Sequence, residues 1–127
     1  MELSEYFEIT EGTGVLSTAD SDGKVDAAIY ARPHFIENNT VAFIMADKVT
    51  HNNLQTNPSA VYLFKEKNSH KGKRLYLTRF REEKNSPLIN ELRQKKHPAE
   101  EQSSNTESKF LLYFTIDKIR PLIGDNE

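Results

Sequence analysis

The residues best suited to bind a ligand lie in the turn Asp47-Lys48-Val49-Thr50, which follows an apolar run and precedes a short helical segment. A helix N-terminus presents unpaired N–H groups and the positive end of its dipole, so it attracts phosphate. Lys48 could add a charge to such a site, and Thr50 and Asn53 could add hydrogen bonds. Ordinary capping, with Thr50 as the N-cap and Lys48 in solvent, explains the same residues, and the local residues alone favour it.

A second candidate is the segment Tyr30-Ala31-Arg32-Pro33 at the end of an extended run. The small side chain of Ala31 would let a planar ring lie against the backbone, and Arg32 could meet an anion or an electron-rich ring edge. The alternative is a surface arginine at a strand end, beside a proline that is tolerated at a sheet edge. These residues alone favour the alternative.

A third candidate is the basic stretch Lys71-Gly72-Lys73-Arg74, followed by Tyr76. Arg74 could bind a nucleotide phosphate or reach across a subunit boundary. Basic residues on an exposed edge strand also discourage aggregation, which explains the stretch without any ligand. Both interpretations stay open.

Other familiar chemistry is not indicated by the sequence. The four histidines, His34, His51, His70 and His97, fall in different predicted segments and form no HxxxH or HExxH motif, so a histidine metal site is not expected. There is no GxGxxG and no Walker sequence, which leaves the two common glycine-rich nucleotide folds unsupported.

Length and composition define the class of protein. The 127 residues suit one domain, 1–127. The 17 basic and 19 acidic side chains nearly balance, which does not favour a nucleic-acid binder. With no cysteine there is no disulfide or thiolate site. The N-terminus lacks a signal-peptide pattern, and no apolar run is long enough to cross a membrane. We therefore expect a soluble, cytoplasmic protein.

The hydrophobic pattern predicts six strands and two or three short helices. The strands are expected at 14–18, 25–30 with an extension through 35–36, 41–46, 60–64, 73–81 and 109–116. Short helices are expected near 3–7, at 51–56 and from Pro87 to about residue 96, and the segment 97–108 is polar. The strands come as hairpins, which predicts a mainly β antiparallel barrel with a few helices.

The order of these elements resembles a known family. The run from Met45 to Phe64, MADKVTHNNLQTNPSAVYLF, is similar to the strand, polar turn, short helix with an Asn-Leu pair, Asn-Pro stop and strand of the pyridoxamine 5′-phosphate oxidase-like family. The stretch GKRLYLT, residues 72–78, resembles the next strand of that family. The resemblance covers residues 12 to about 81 and implies a six-stranded antiparallel split β-barrel that binds flavin mononucleotide (FMN).

The resemblance also implies where the cofactor lies. Lys48, Thr50 and Asn53 would lie near the phosphate, and the backbone of Ala46 and Asp47 would follow the ribityl chain. The ring system would be flanked by Tyr30, Ala31, Arg32 and Pro33. Arg74 matches a strand position that often reaches the cofactor. Proteins of the family are typically homodimers with the flavin at the subunit interface, and the same is implied here.

The sequence departs from the family pattern in two places. Asp47 occupies a turn that is basic in the oxidases, and no C-terminal Trp and Arg segment follows Ile123. Oxidation of vitamin B6 is therefore not expected. The open alternatives are an FMN-dependent oxidoreductase with an unknown small substrate, a flavin carrier or electron-transfer protein, a heme-handling relative using His34 or His51, and an interaction module without cofactor. FAD, F420 or heme in place of FMN also stays open.

Overall fold

The computed structural model describes residues 1–96 and 109–125, with the backbone alone at 94–96. The predicted polar segment 97–108, including His97, lies outside the described residues. The elements in chain order are α1 (Leu3–Ile9), β1 (Gly12–Ala19), β2 (Val25–Ile29), β3 (His34–Glu37), β4 (Thr40–Ala46), α2 (Val49–Thr56), β5 (Ser59–Glu66), β6 (Gly72–Lys84), α3 (Pro87–Lys96) and β7 (Lys109–Pro121).

The described strands form one antiparallel sheet in the order β2-β1-β5-β6-β7-β4-β3. In a flat sheet, β2 and β3 would stand six strand spacings apart, about 29 Å. The chain between them, from Ile29 to His34, can span at most about 17 Å. The sheet must therefore curl until its two edge strands approach each other, which gives a barrel that is open between β2 and β3.

The prediction of six strands is wrong by one, because the structure has seven. The run 25–36 was counted as a single extended strand, and it is two. β2 pairs with β1, whereas β3, within the described ranges, pairs only with β4 on the other edge of the sheet. Pro33 lies at the break, where a residue without an N–H cannot continue the ladder. The number of strands depends on which segments pair with each other, and the alternation of hydrophobic residues does not show the pairing.

The core lies inside the curled sheet and is closed by α1. Phe7 of α1 is 1% exposed, and it packs against Phe64 and Tyr62 of β5. α3 covers the outer side of β4 and β7, where Ile89 packs with Leu111. β4 is therefore covered on both faces, as its continuous apolar sequence predicts. No helix among the described residues is long and apolar enough to cross a membrane.

Candidate functional site

Helix α2 begins two residues earlier than the sequence predicts, at Val49, with Lys48 as its N-cap. The first hydrogen bond of the helix joins the Asn52 N–H to the Lys48 carbonyl at 2.9 Å. The amides of Val49, Thr50 and His51 precede that bond and are the unpaired donors typical of a helix start. Within the described residues no side chain caps this end. Thr50 is therefore not the N-cap, which removes the capping explanation for its presence.

Thr50 instead joins the turn to the Tyr30 segment. It lies inside the first turn of α2 and is 5% exposed, and its side chain lies close enough to the Tyr30 hydroxyl to act on the pKa of that group. Burial raises the pKa of Tyr30, and Thr50 acts in the opposite direction. Two of the three candidate segments thus meet in the folded chain, although 20 positions separate them in sequence.

The Tyr30 segment is held in place by a buried tyrosine of β5. The Tyr62 hydroxyl lies 3.2 Å from the Tyr30 carbonyl oxygen and 3.1 Å from that of Ala31. The Tyr30 N–H donates to the Gly14 carbonyl at 3.0 Å. A Cβ at Gly14 would lie 1.8 Å from the Tyr62 hydroxyl oxygen, so only glycine leaves room for this arrangement. Two strands, β1 and β5, therefore fix the connection between β2 and β3.

Arg32 has a structural partner that its sequence context does not reveal. Its Nη1 donates to the carbonyl oxygens of Phe7 at 3.1 Å and Thr10 at 2.8 Å, at the C-terminal end of α1. A cation is favourable at the negative end of a helix. The guanidinium thus anchors α1 to the Tyr30 segment. The neighbouring Pro33 is buried.

A cleft of about 320 Å³ lies beside these residues. It is lined by Tyr30, Ala31, Arg32, His34, Phe43, Ile44, Met45, Ala46, Arg93 and Lys109. The lining carries three cationic side chains, those of Arg32, Arg93 and Lys109, and no carboxylate among the described residues. Ala46 and Lys109 are directly paired at the end of β4, three residues before α2 begins. The turn Asp47–Thr50 follows the cleft residue Ala46 directly in the chain.

Sequence reasoning missed Arg93 and Lys109. Arg93 belongs to an amphipathic helix, and Lys109 opens the last strand. Neither has a local pattern that marks it as a ligand-binding residue. Both reach the cleft because β7 pairs with β4 and α3 lies over that pair, which is a property of the tertiary structure.

Asn53 and Asp47 are engaged within the protein. The Asn53 amide donates to the Thr18 hydroxyl at 3.0 Å, and both residues are buried, so this bond ties α2 to β1. The Asp47 carboxylate is 3.1 Å from Nδ1 of His51. His51 is therefore the partner of the Asp47 carboxylate within this segment.

Arg74 is placed apart from the cleft. Its Nε donates to the Pro121 carbonyl at 2.9 Å, and Nη2 contacts the Gly124 carbonyl and lies 3.5 Å from the Asp125 carboxylate. These bonds hold the C-terminal segment against β6. Within one chain the structure brings together the Tyr30 segment, the turn and Thr50, and it does not bring Arg74 to them.

The fold is similar to several solved structures. An FMN-binding protein from Syntrophomonas wolfei subsp. wolfei is 19% identical, with a TM-score of 0.76 over 94% of this chain and 83% of that one. An F420 reductase is 12% identical, with a TM-score of 0.71 over 94% and 97% of the two chains. A putative pyridoxamine 5′-phosphate oxidase from Listeria innocua is 15% identical, with a TM-score of 0.69 over 94% of each.

These likenesses confirm the predicted fold class, a mainly β, antiparallel split barrel of the FMN-binding, pyridoxamine 5′-phosphate oxidase-like type. No protein-family profile and no curated protein matches the chain. The fold that the sequence resemblance implies is therefore confirmed.

Proposed function

We propose that the protein binds a flavin nucleotide, FMN in the first instance, at the turn Asp47–Thr50 and in the adjoining cleft. The observation that carries the proposal is that Tyr30, which lines the cationic cleft, lies against Thr50 in the first turn of α2, beside the unpaired helix amides. The FMN-binding protein of the same fold supports the choice of ligand.

The residues present fit such a group. A phosphate needs N–H donors and positive charge, which the start of α2 and the exposed side chain of Lys48 offer. A flat, partly apolar ring needs a cleft with aromatic and aliphatic walls and a few polar groups. Tyr30, Ala31 and Met45 supply the walls, and Lys109 supplies a cation.

We infer that the bound flavin serves an oxidoreductase with a small substrate. A flavin supplies hydride and electron transfer, and the protein supplies binding, orientation and electrostatics. Cations along a cleft favour anionic substrates and the negative charge of a reduced ring. His34 also lines the cleft. The cytoplasm remains the proposed location, on composition alone.

We also propose that the working form is a homodimer with the flavin at the subunit interface. The outer face of the edge strand β2 is apolar, and its Val25 and Ile29 are 82% and 70% exposed. Their Cα partners on β1 are Ala19 and Val15, which continue the apolar face. A surface of this kind is typical of an interface.

A flavin titration tests the proposal. Purified protein is mixed with FMN, and binding is followed by the flavin absorption spectrum and by quenching of flavin fluorescence. We expect stoichiometric binding with a dissociation constant in the micromolar range or below, about 8 kcal/mol or more of binding free energy. A colourless protein that does not take up added FMN would overturn the proposal. FAD and F420 in parallel titrations identify the preferred ligand.

The second candidate function is that of a flavin carrier without a substrate of its own. Reduction of the bound flavin by NADH or NADPH separates the two functions, since a carrier is not expected to be reduced directly. A heme-handling function through His51 is disfavoured, because both of its ring nitrogens lie within 3.2 Å of protein partners.

A further inference from the structure

A buried histidine connects the turn before α2 to strand β6. His51 is the third residue of α2 and is 6% exposed. Its ring stacks on Phe110 of β7 with centroids 3.9 Å apart. Nδ1 lies 3.1 Å from an oxygen of Asp47, and Nε2 lies 3.0 Å from an oxygen of Glu82.

The two carboxylate contacts are both satisfied by one protonation state of the ring. An ionised carboxylate only accepts hydrogen bonds, so both contacts are hydrogen bonds only when both ring nitrogens carry a proton. Burial raises the pKa of Glu82, but the hydrogen bonds from Gln55 and His51, together with the charges of His51 and Arg79, hold that pKa below its usual value. The two carboxylate contacts therefore fit an imidazolium.

The structure also provides for the neutral ring. The amide nitrogen of Gln55 lies 3.2 Å from Nε2 of His51 and 2.8 Å from the other oxygen of Glu82. When Nε2 loses its proton it can accept from Gln55, and its lone pair then faces the Glu82 carboxylate. When Nε2 loses its proton, the attraction between His51 of α2 and Glu82 of β6 therefore becomes a repulsion.

The charged groups around the ring come from two parts of the chain, the turn before α2 and strand β6. Asp47 belongs to the turn, Glu82 and Arg79 to β6, and Lys84 of β6 lies 6.0 Å from the centre of the Phe110 ring on which His51 stacks. Residues 1–96 and 109–125 contain no group of three or more His, Asp or Glu suited to hold a metal ion, so the cluster is not a metal centre.

We propose that His51 is a proton-dependent positioning residue for the ligand-binding turn. Its protonated ring compensates the charge of Asp47 and ties the start of α2 to β6. A phosphate-bearing ligand then meets fixed amides and a neutralised aspartate. This inference rests on the proposed function, because it assigns to the protonated state the higher affinity for a flavin nucleotide. It also explains how a turn that binds phosphate can contain an aspartate.

Two measurements on the ligand-free protein test the positioning role. In protein with ¹⁵N-labelled histidine, ring shifts at about pH 6 should show both His51 nitrogens protonated. Hydrogen exchange of the amides at 48–51, corrected for the intrinsic rate, should accelerate across the pH at which the ring loses its proton. A single ring proton at about pH 6, or exchange that does not change with ring protonation, overturns the proposal.

Affinity for FMN tests the consequence for the ligand. Wild-type affinity should fall about tenfold as the His51 ring deprotonates. The His51→Gln variant should bind FMN weakly even at low pH, and its affinity should show no such step. Because the FMN phosphate itself titrates, the pH dependence of this variant also serves as the baseline for that effect. His70→Gln, in an exposed loop, is the matched control and should behave as wild type.

Glu82→Gln provides a test that does not depend on the folding of His51→Gln. Removal of one carboxylate should move the step in affinity to lower pH, and an unmoved step overturns the proposal. If FMN does not bind at any pH, the proposed function fails, and the ring shifts and hydrogen exchange alone decide the role of His51. Riboflavin, which lacks the phosphate, should show no step.

Discussion

Lys48 keeps the role that the sequence predicts for it, a cation close to the phosphate of a ligand. It is an exposed N-cap without a capping side-chain bond, and it stands next to three unpaired amides. Its charge is therefore available to a ligand at the start of α2. Arg32, by contrast, is occupied at the end of α1. The two cations predicted for one site thus have different principal roles.

We expect Lys48→Ala to weaken FMN binding about five- to tenfold, about 1.0–1.4 kcal/mol, because one charge–phosphate interaction is lost. Riboflavin binding should be unchanged, since it carries no phosphate. Both are measured by fluorescence titration, with Lys65→Ala on β5 as the control. Equal loss for FMN and riboflavin would mean that the phosphate lies elsewhere.

Arg32→Met should lower the free energy of unfolding by about 1–3 kcal/mol, because two carbonyls at the end of α1 lose a charged donor. Urea denaturation followed by circular dichroism measures the change. Arg93→Met is the matched variant: it removes a cation of the cleft and should reduce FMN affinity with little effect on stability. If Arg32→Met is as stable as wild type, its bonds to α1 contribute nothing.

Among the elements, α2 connects the site to the rest of the barrel. Asn53 ties it to β1, Thr50 to the Tyr30 segment, and His51 and Gln55 to β6. A helix of eight residues has little stability by itself, so these tertiary bonds hold it in place. They also explain why its polar residues are buried.

The carboxylate of Glu82 should make the protein sensitive to acid. Its pKa is lower in the folded protein than its ordinary value near 4.5, because the bonds from Gln55 and His51 and the charges of His51 and Arg79 together outweigh burial. The unfolded chain then binds more protons, so the stabilisation is present above about pH 4.5 and is lost as pH falls through the folded pKa. The pKa of Glu83 is lowered by bonds from Ser86 and Tyr113, so Glu83 also stabilises the folded protein less as the pH falls.

Urea unfolding at about pH 6, 4.5 and 3.5 measures this dependence. Glu82→Gln should be less stable than wild type at pH 6 and should lose less on acidification. Glu8→Gln, at an exposed position of α1, should reproduce the wild-type slope. A Glu82→Gln slope as steep as that of wild type would assign the acid sensitivity to other carboxylates.

Hydrophobic pattern and turn residues were sufficient to predict most of the fold. The proline start of α3 is a local signal, and it is confirmed. The break at Pro33 was not predicted, because the change of pairing partner depends on how the whole sheet curls. The same limit applies to the site: Arg93 and Lys109 meet the Tyr30 segment only through the β4–β7 pair.

At the scale of the whole molecule, the part of the chain that the structure describes leaves an apolar face of β2 uncovered. Val25 and Ile29 of β2 stand beside Ala19 and Val15 of β1, and Val15 in turn pairs with Leu63 of β5. Burial of this face in a second copy would add about 25 cal/mol per Å² of apolar surface. It would also cover the free edge of β2, which otherwise invites unspecific strand pairing.

We therefore expect wild-type protein to sediment as a dimer at micromolar concentration and Ile29→Asp to sediment as a monomer. A buried aspartate without a partner opposes association strongly. Phe80→Asp is the control, since Phe80 is 53% exposed and lies on the part of β6 beyond its pairing with β5. If the flavin lies at the interface, Ile29→Asp should lose FMN affinity together with the dimer. A monomeric variant with wild-type affinity would place the complete site within one chain.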